Sequence, residues 1–229
     1  VVEPAALPGT RFAGTVQAKV QTALGFRVGG RLVTRAVHVG DLVRKGEVLA
    51  VLDSTAYELA VRSARAELSS AEATLASAVA TEERQKTLLQ SNTAAQAAVE
   101  SAEQSREAAD AGLVRARTAL AKAEEQLSYT RILAEFDGVV TATGAEAGQV
   151  VSPGEAVVTV ARPDERDAVV DIPEGVGGIV VGSRFTVSLQ INPSVTASGA
   201  VREIAPSADA ATRTRRVKIA LEDPADTFR

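Results

Sequence analysis

Between Asp53 and Asp137 the apolar side chains return every seventh residue. Val61, Leu68, Leu75, Glu82 and Leu89 are spaced by seven, with Ala64, Ala71, Ala78 and Gln85 three residues after each of the first four. Val99, Arg106, Leu113, Leu120 and Leu127 repeat the arrangement, with Ala102, Ala109, Ala116 and Ala123 between them. Seams this narrow predict two coiled-coil helices, not helices with the broad apolar face of a globular bundle. The stretch holds a single glycine, Gly112, and no proline, and is rich in the strongest helix formers. Ser91-Asn92-Thr93 is the predicted turn. Asn92 suits a left-handed cap, and Thr93 with Gln96 makes a capping box for the second helix, as Thr55 with Glu58 does for the first.

An antiparallel hairpin pivoting near Ala94 pairs Leu89 with Val99, Leu75 with Leu113, Leu68 with Leu120 and Val61 with Leu127. The two charged seam positions, Glu82 and Arg106, then fall opposite each other. Either they lock the register, because a slip of one heptad sets a charge against leucine, or both side chains snorkel to water. At about 1.5 Å per residue, helices of roughly 35 residues make a rod about 50 Å long.

On both sides of this stretch the period drops to two. Gly30, Gly40 and Gly46 punctuate short alternating runs, and Gly138, Gly148 and Gly154 do so again with the same spacing of ten and then six residues. The six glycines are expected at turns that need positive φ. Each half has too few strands for a core, so the two together predict a small sandwich interrupted by the hairpin. Further short strands are expected at Ala168–Ile172, Gly178–Val181, Phe185–Leu189, Ala200–Ile204 and Arg216–Leu221, with Phe12–Val20 joining them in a small antiparallel barrel. The fold class is therefore mixed α and β, elongated and multi-domain.

The 229 residues include no Cys, Met or Trp and one His, His38. That removes thiol nucleophiles and thiolate or thioether metal sites, and it leaves a lone strand histidine as a poor ligand. No catalytic, cofactor-binding or metal site is expected. Gly175-x-Gly177-Gly178 opens no helix and reads as a turn, not a nucleotide fingerprint. A net charge of −4 with dispersed basic residues leaves no footprint for nucleic acid. No run of eighteen apolar residues and no export signal occurs, and both ends read as interior points of a longer protein.

Two stretches carry a resemblance: Gly40-Asp41-Leu42-Val43-Arg44-Lys45-Gly46-Glu47-Val48-Leu49-Ala50-Val51-Leu52-Asp53, and Leu127-Ser128-Tyr129-Thr130-Arg131-Ile132-Leu133-Ala134-Glu135-Phe136-Asp137-Gly138-Val139-Val140. They resemble a lipoyl or biotinyl carrier domain split by a coiled-coil hairpin, the layout of the HlyD-like periplasmic adaptors, or membrane fusion proteins, of bacterial tripartite efflux pumps. The family's proline before the second glycine is absent here. The segment from Pro206 to Thr214 is similar to the family's barrel domain. The resemblance implies a β-barrel from 11–21 plus 164–221, a lipoyl-like sandwich from 22–53 plus 131–163, and a hairpin over 54–130. Residues 1–10 would be a linker or a remnant of a further, membrane-proximal domain, and residues 222–229 its start.

Adaptors of the resistance-nodulation-division (RND) type carry a hairpin-tip motif of Arg, Leu and Ser. Arg84 and Leu88 match it, and Ala95 stands at the serine position. By the residues alone, Arg84 is either a forked donor to a partner helix or one more solvated side chain, and Leu88 either a knob or seam filler. The resemblance implies a non-enzymatic adaptor without cofactor, located in the periplasm on the inner membrane of a Gram-negative bacterium. Its partners would be an RND transporter, an outer-membrane channel and further copies of itself in a ring. Membrane attachment would come only through an anchor outside this chain. An adaptor of an ATP-driven pump or of a type I secretion system is the alternative. A biotin or lipoyl carrier is disfavoured, because neither Lys45 nor Lys122 lies at the turn such a domain modifies.

Overall fold

The computed structural model describes residues 11–91, 93 and 95–222. In chain order the elements are β1 (Gly14–Ala18), β2 (Gln21–Gly25), β3 (Gly30–Arg35), β4 (Leu42–Val43), β5 (Val48–Leu52), α1 (Thr55–Gln90), α2 (Gln96–Ser128), β6 (Arg131–Leu133) and β7 (Gly138–Thr143). They continue with β8 (Val150–Val151), β9 (Ala156–Ala161), β10 (Arg166–Pro173), β11 (Arg184–Ser188), β12 (Thr196–Ile204) and β13 (Thr214–Glu222).

The two punctuated halves interleave in space. One four-stranded sheet runs β2-β9-β7-β4 and the other β6-β5-β3-β8, so each sheet takes strands from both sides of the hairpin. Neither half holds a complete sheet by itself. The shared core is aliphatic, with Leu32, Leu49, Ala50, Val140 and Val157 at 0% exposure beside Phe26 and Leu52. α1 leaves directly after β5 and α2 returns directly into β6, which pairs with β5. Both ends of the hairpin are thus gripped by one sheet.

The repeat holds down to single hydrogen bonds. The amide of Gly40 donates to the Val140 carbonyl, and that of Gly148 to the Leu32 carbonyl; likewise Gly46 donates to Ala134 and Gly154 to Phe26. In the tight turns the Glu47 carboxylate accepts from the Arg44 amide, and the Glu155 carboxylate from the Ser152 amide, both at 2.9 Å. Gly40, Gly46, Gly148 and Gly154 have φ between +83° and +97°, the region costly for any residue with a Cβ. Gly30 and Gly138 depart from the turn reading: they open strands β3 and β7 with ordinary φ. Gly138 is small because a Cβ there would stand 2.6 Å from the Ala161 carbonyl oxygen, and one on Gly30 would touch Leu52.

The remaining strands form one antiparallel sheet, β1-β10-β13-β12-β11, around Ala168, Val170, Ile172, Val201, Val217 and Ile219. The strand expected at Gly178–Val181 is absent. Gly178 and Gly182 take φ of +88° and +93°, which bends the segment out of extension, and Val176 and Ile179 instead lie against this core as a cover. A bulge between Val201 and Glu203 turns Arg202 onto Asp167, which is 2% exposed. The Arg202 guanidinium donates to Asp167 Oδ2 at 2.9 and 2.5 Å, and this hydrogen bond raises the Arg202 pKa further.

Candidate partner-docking hairpin

The hairpin is thin because its seam is narrow and seven of its eighteen knobs are alanine. Every position of the two heptad series from Val61 to Leu89 and from Val99 to Leu127 is buried or half-buried, while most intervening positions are exposed. Alanine between the larger residues lets the axes approach closely. Two interhelical ion pairs lie along one face: Arg65 with Glu124 at 3.2 Å and Lys86 with Glu103 at 3.2 Å.

Glu82 and Arg106 meet at 2.7 Å inside the seam, with Glu82 only 8% exposed. Lys86, one turn along α1, donates to the same carboxylate at 2.5 Å and also reaches Glu103. The Lys86 hydrogen bond holds the Glu82 carboxyl below its ordinary range, and the Arg106 charge adds to this. Glu82 and Glu103 in turn raise the Lys86 pKa. Lys86 and Glu103 were not picked out by the seam pattern, although their opposite charges at flanking heptad positions are visible in it.

Both expected capping boxes are replaced. α1 is preceded by Ser54, and the first-turn amide of Thr55 is met by Asp53 Oδ1 at 3.1 Å, while Glu58 accepts from Ser54 Oγ instead. α2 starts after Ala95 with no side-chain cap. Thr93 turns back to α1, where its amide and hydroxyl both donate to the Leu88 carbonyl, at 3.0 and 2.9 Å. Closing the open carbonyls of one helix competed with capping the next, and the former won. The cap expected at Asn92, and the pivot at Ala94, lie outside the described residues.

Arg84 is exposed, Leu88 is 39% exposed and Ala95 is exposed. By heptad position Arg84 and Leu88 share the face opposite the Arg65–Glu124 and Lys86–Glu103 pairs. Leu88 therefore does not fill the seam, a place taken by Leu89. His38 sits in a turn near Asp41, and Lys45 in the Arg44–Glu47 turn. Among the described residues no group of three or more metal-ligating side chains gathers. No described helix is long and apolar enough to cross a membrane.

A family model described as the RND MFP barrel-sandwich hybrid domain matches residues 20–161, the split sandwich together with its hairpin. The chain belongs to the RND membrane fusion protein family. A second model, the CusB-like β-barrel domain, matches residues 168–229. Among curated relatives of this membrane fusion protein, the nodulation protein NolF of Rhizobium meliloti is 30% identical, covering 93% of this chain and 58% of NolF. The multidrug resistance protein MdtA of Klebsiella pneumoniae is 31% identical over 70% of this chain and 40% of MdtA. The chain thus spans about half the length of the curated relatives it matches. In fold it is similar to a MacA-MexA chimera carrying the Pseudomonas aeruginosa MexA α-hairpin, with a TM-score of 0.73, 23% identity, and 94% of this chain and 75% of the chimera covered. The fold is the expected one: a coiled-coil hairpin set in a lipoyl-like sandwich and followed by a β-barrel. The family is one of adaptors, not enzymes.

Proposed function

We propose that this chain is the periplasmic part of an adaptor that joins an inner-membrane RND transporter to an outer-membrane channel for export of drugs or other small toxic compounds. The observation that carries the reading is the rod itself. Two helices of 36 and 33 residues project from a sandwich that needs both halves of the chain, and Arg84 with Leu88 stands exposed near their far end. A forked guanidinium beside an apolar knob suits contact with the helices of a channel. The sandwich and barrel, built from 22–53 plus 131–163 and 11–21 plus 164–221, would sit towards the transporter. Several copies side by side in a ring would enclose the conduit, on the periplasmic side of a Gram-negative inner membrane.

The multidrug-resistance name of MdtA supports a drug substrate. Ala95, in place of the hydroxyl of the RND tip motif, keeps an ATP-driven pump or a type I secretion system as the second reading. The test is compound susceptibility of a strain lacking the full-length gene, complemented with wild type, Arg84→Asp or Leu88→Asp. Sensitisation by the deletion, with tip variants that express but fail to rescue, supports the RND reading. Indifference to every compound together with loss of secretion of a protein overturns it in favour of the second.

A further inference from the structure

The chain holds two tyrosines, and the fold sets one at each root of the hairpin: Tyr57 in the first turn of α1, Tyr129 directly after α2. Both reach the same short segment, residues 26–29, which turns β2 into β3. Tyr57 Oη donates to the Gly29 carbonyl at 3.0 Å. The Arg27 guanidinium lies over the Tyr129 ring, 5.0 Å from its centre, and donates to Tyr129 Oη at 3.3 Å; that hydroxyl donates in turn to Glu125, one turn back in α2. Both tyrosines are half-buried, whereas Arg27 is exposed. The turn itself is anchored in the sandwich. Phe26 is 2% exposed in the core, its carbonyl accepts from the Gly154 amide, and a Cβ on Gly29 would touch Pro153. Arg31, two residues past the turn, adds an ion pair at 3.7 Å to Asp53, whose other carboxylate oxygen meets the first amide of α1.

The chain connections alone leave one motion open. α1 leaves from β5 and α2 returns into β6, neighbouring strands about 5 Å apart, and two attachments that close define an axis about which a rod can swing. A third point off that axis stops it. β2 belongs to the opposite sheet, so the turn at 26–29 crosses from that sheet to β3 and stands to one side of the β5–β6 line. We infer that this turn aims the rod: Arg27 and the Gly29 carbonyl seat Tyr129 and Tyr57, and these contacts fix the direction of the hairpin relative to the sandwich. Arg27, Tyr57 and Tyr129 are thus positioning residues. The inference rests on the adaptor reading only for the use of a fixed aim; the aim itself is a property of this chain alone.

The test is the distance between spin labels on Thr74→Cys, exposed on the rod, and Thr141→Cys, exposed on the sandwich, measured by pulsed electron paramagnetic resonance. The chain has no Cys of its own, so only the two labels are seen. The unaltered root should give one narrow distance distribution. Arg27→Ala/Tyr57→Phe should broaden it roughly twofold, with helix content by circular dichroism unchanged. Arg131→Ala, which removes an exposed arginine beside the root of α2, should leave the width as it was. With no Trp in the chain, tyrosine emission reads the roots alone. In Tyr57→Phe, acrylamide should quench Tyr129 about twofold more strongly once Arg27→Ala is added. An equally narrow distribution in Arg27→Ala/Tyr57→Phe, an unaltered chain as broad as that variant, equal broadening by Arg131→Ala, or unmoved quenching overturns the inference. Every readout is taken on this chain in solution, so tip variants that rescue a deletion strain would count against the adaptor reading and leave this result standing.

Discussion

The sandwich and the hairpin solve the problem of burial in opposite ways. In the sandwich Leu32 and Leu49 are completely enclosed, whereas Leu113 is the one buried leucine among the described residues of the hairpin, Leu68, Leu75, Leu89, Leu120 and Leu127 being half-exposed. Two helices have only one side each to share, so a rod trades enclosure for length. The sandwich is specified by packing from both halves of the chain. The hairpin is specified by helix propensity and by the repetition of a weak contact, and it keeps most of its surface available to other molecules.

That contrast can be broken most sharply by truncating one leucine in each region. Leu49→Ala should cost about 3 kcal/mol, because an enclosed site cannot collapse, and Leu68→Ala about 1 kcal/mol, because its site is already partly wet. Hydrogen exchange of β5 and β9 amides after Leu49→Ala, and of α1 amides after Leu68→Ala, reads the two losses separately. Equal losses would mean that the hairpin is as tightly enclosed as the sandwich.

A smaller effect sharpens the equivalence of the sandwich halves. Gly40 and Gly148 share φ near +97° with nothing within 4 Å of an added Cβ, so Gly40→Ala and Gly148→Ala should each cost about 1 kcal/mol through the backbone alone. Denaturant midpoints that shift by the same amount support a matched pair; a shift in one half only would show that the repeat is one of sequence and not of energetics.

The smallest effect is confined to the hairpin. The folded-state pKa of Glu82 lies below its ordinary value of 4.5, so its contribution is complete above 4.5 and is lost as pH falls through the lowered value. Amides between residues 83 and 105 should exchange faster at such pH, while those of Leu32 and Leu49, in an aliphatic core without carboxylates, should not follow. Glu82→Leu alone should destabilise the tip by stranding Arg106, and Glu82→Leu/Arg106→Leu should recover it and abolish the pH response. Acid-induced exchange that persists in the double variant would remove Glu82 as its cause.

The parts legible in the sequence are those governed by period. The heptads place Glu82 against Arg106, and the ten-then-six glycine spacing marks the two sandwich halves, because each rule acts on every turn or strand and its errors average out. Single-residue competitions were not legible. Thr93 had two helix ends within reach and chose α1; Gly178 and Gly182 bent an apolar run that otherwise reads as a strand; Gly138 is small to admit a neighbour instead of to turn. Arg202 reaches Asp167 only through a bulge, which no local pattern announces. Of the candidate docking surface, Arg84 and Leu88 were visible through resemblance alone.

Inserting the hairpin between β5 and β6 makes its length an independent variable. The sandwich senses only where α1 leaves and α2 returns, so heptads can be added or removed beyond that point without touching the core. Each must be changed in both helices together, or Leu75 no longer finds Leu113. One added heptad per helix moves the tip outward by about 10.5 Å and restores every seam partner. The hairpin is in effect a ruler graduated in heptads, whose reach evolution or an engineer can reset in whole steps.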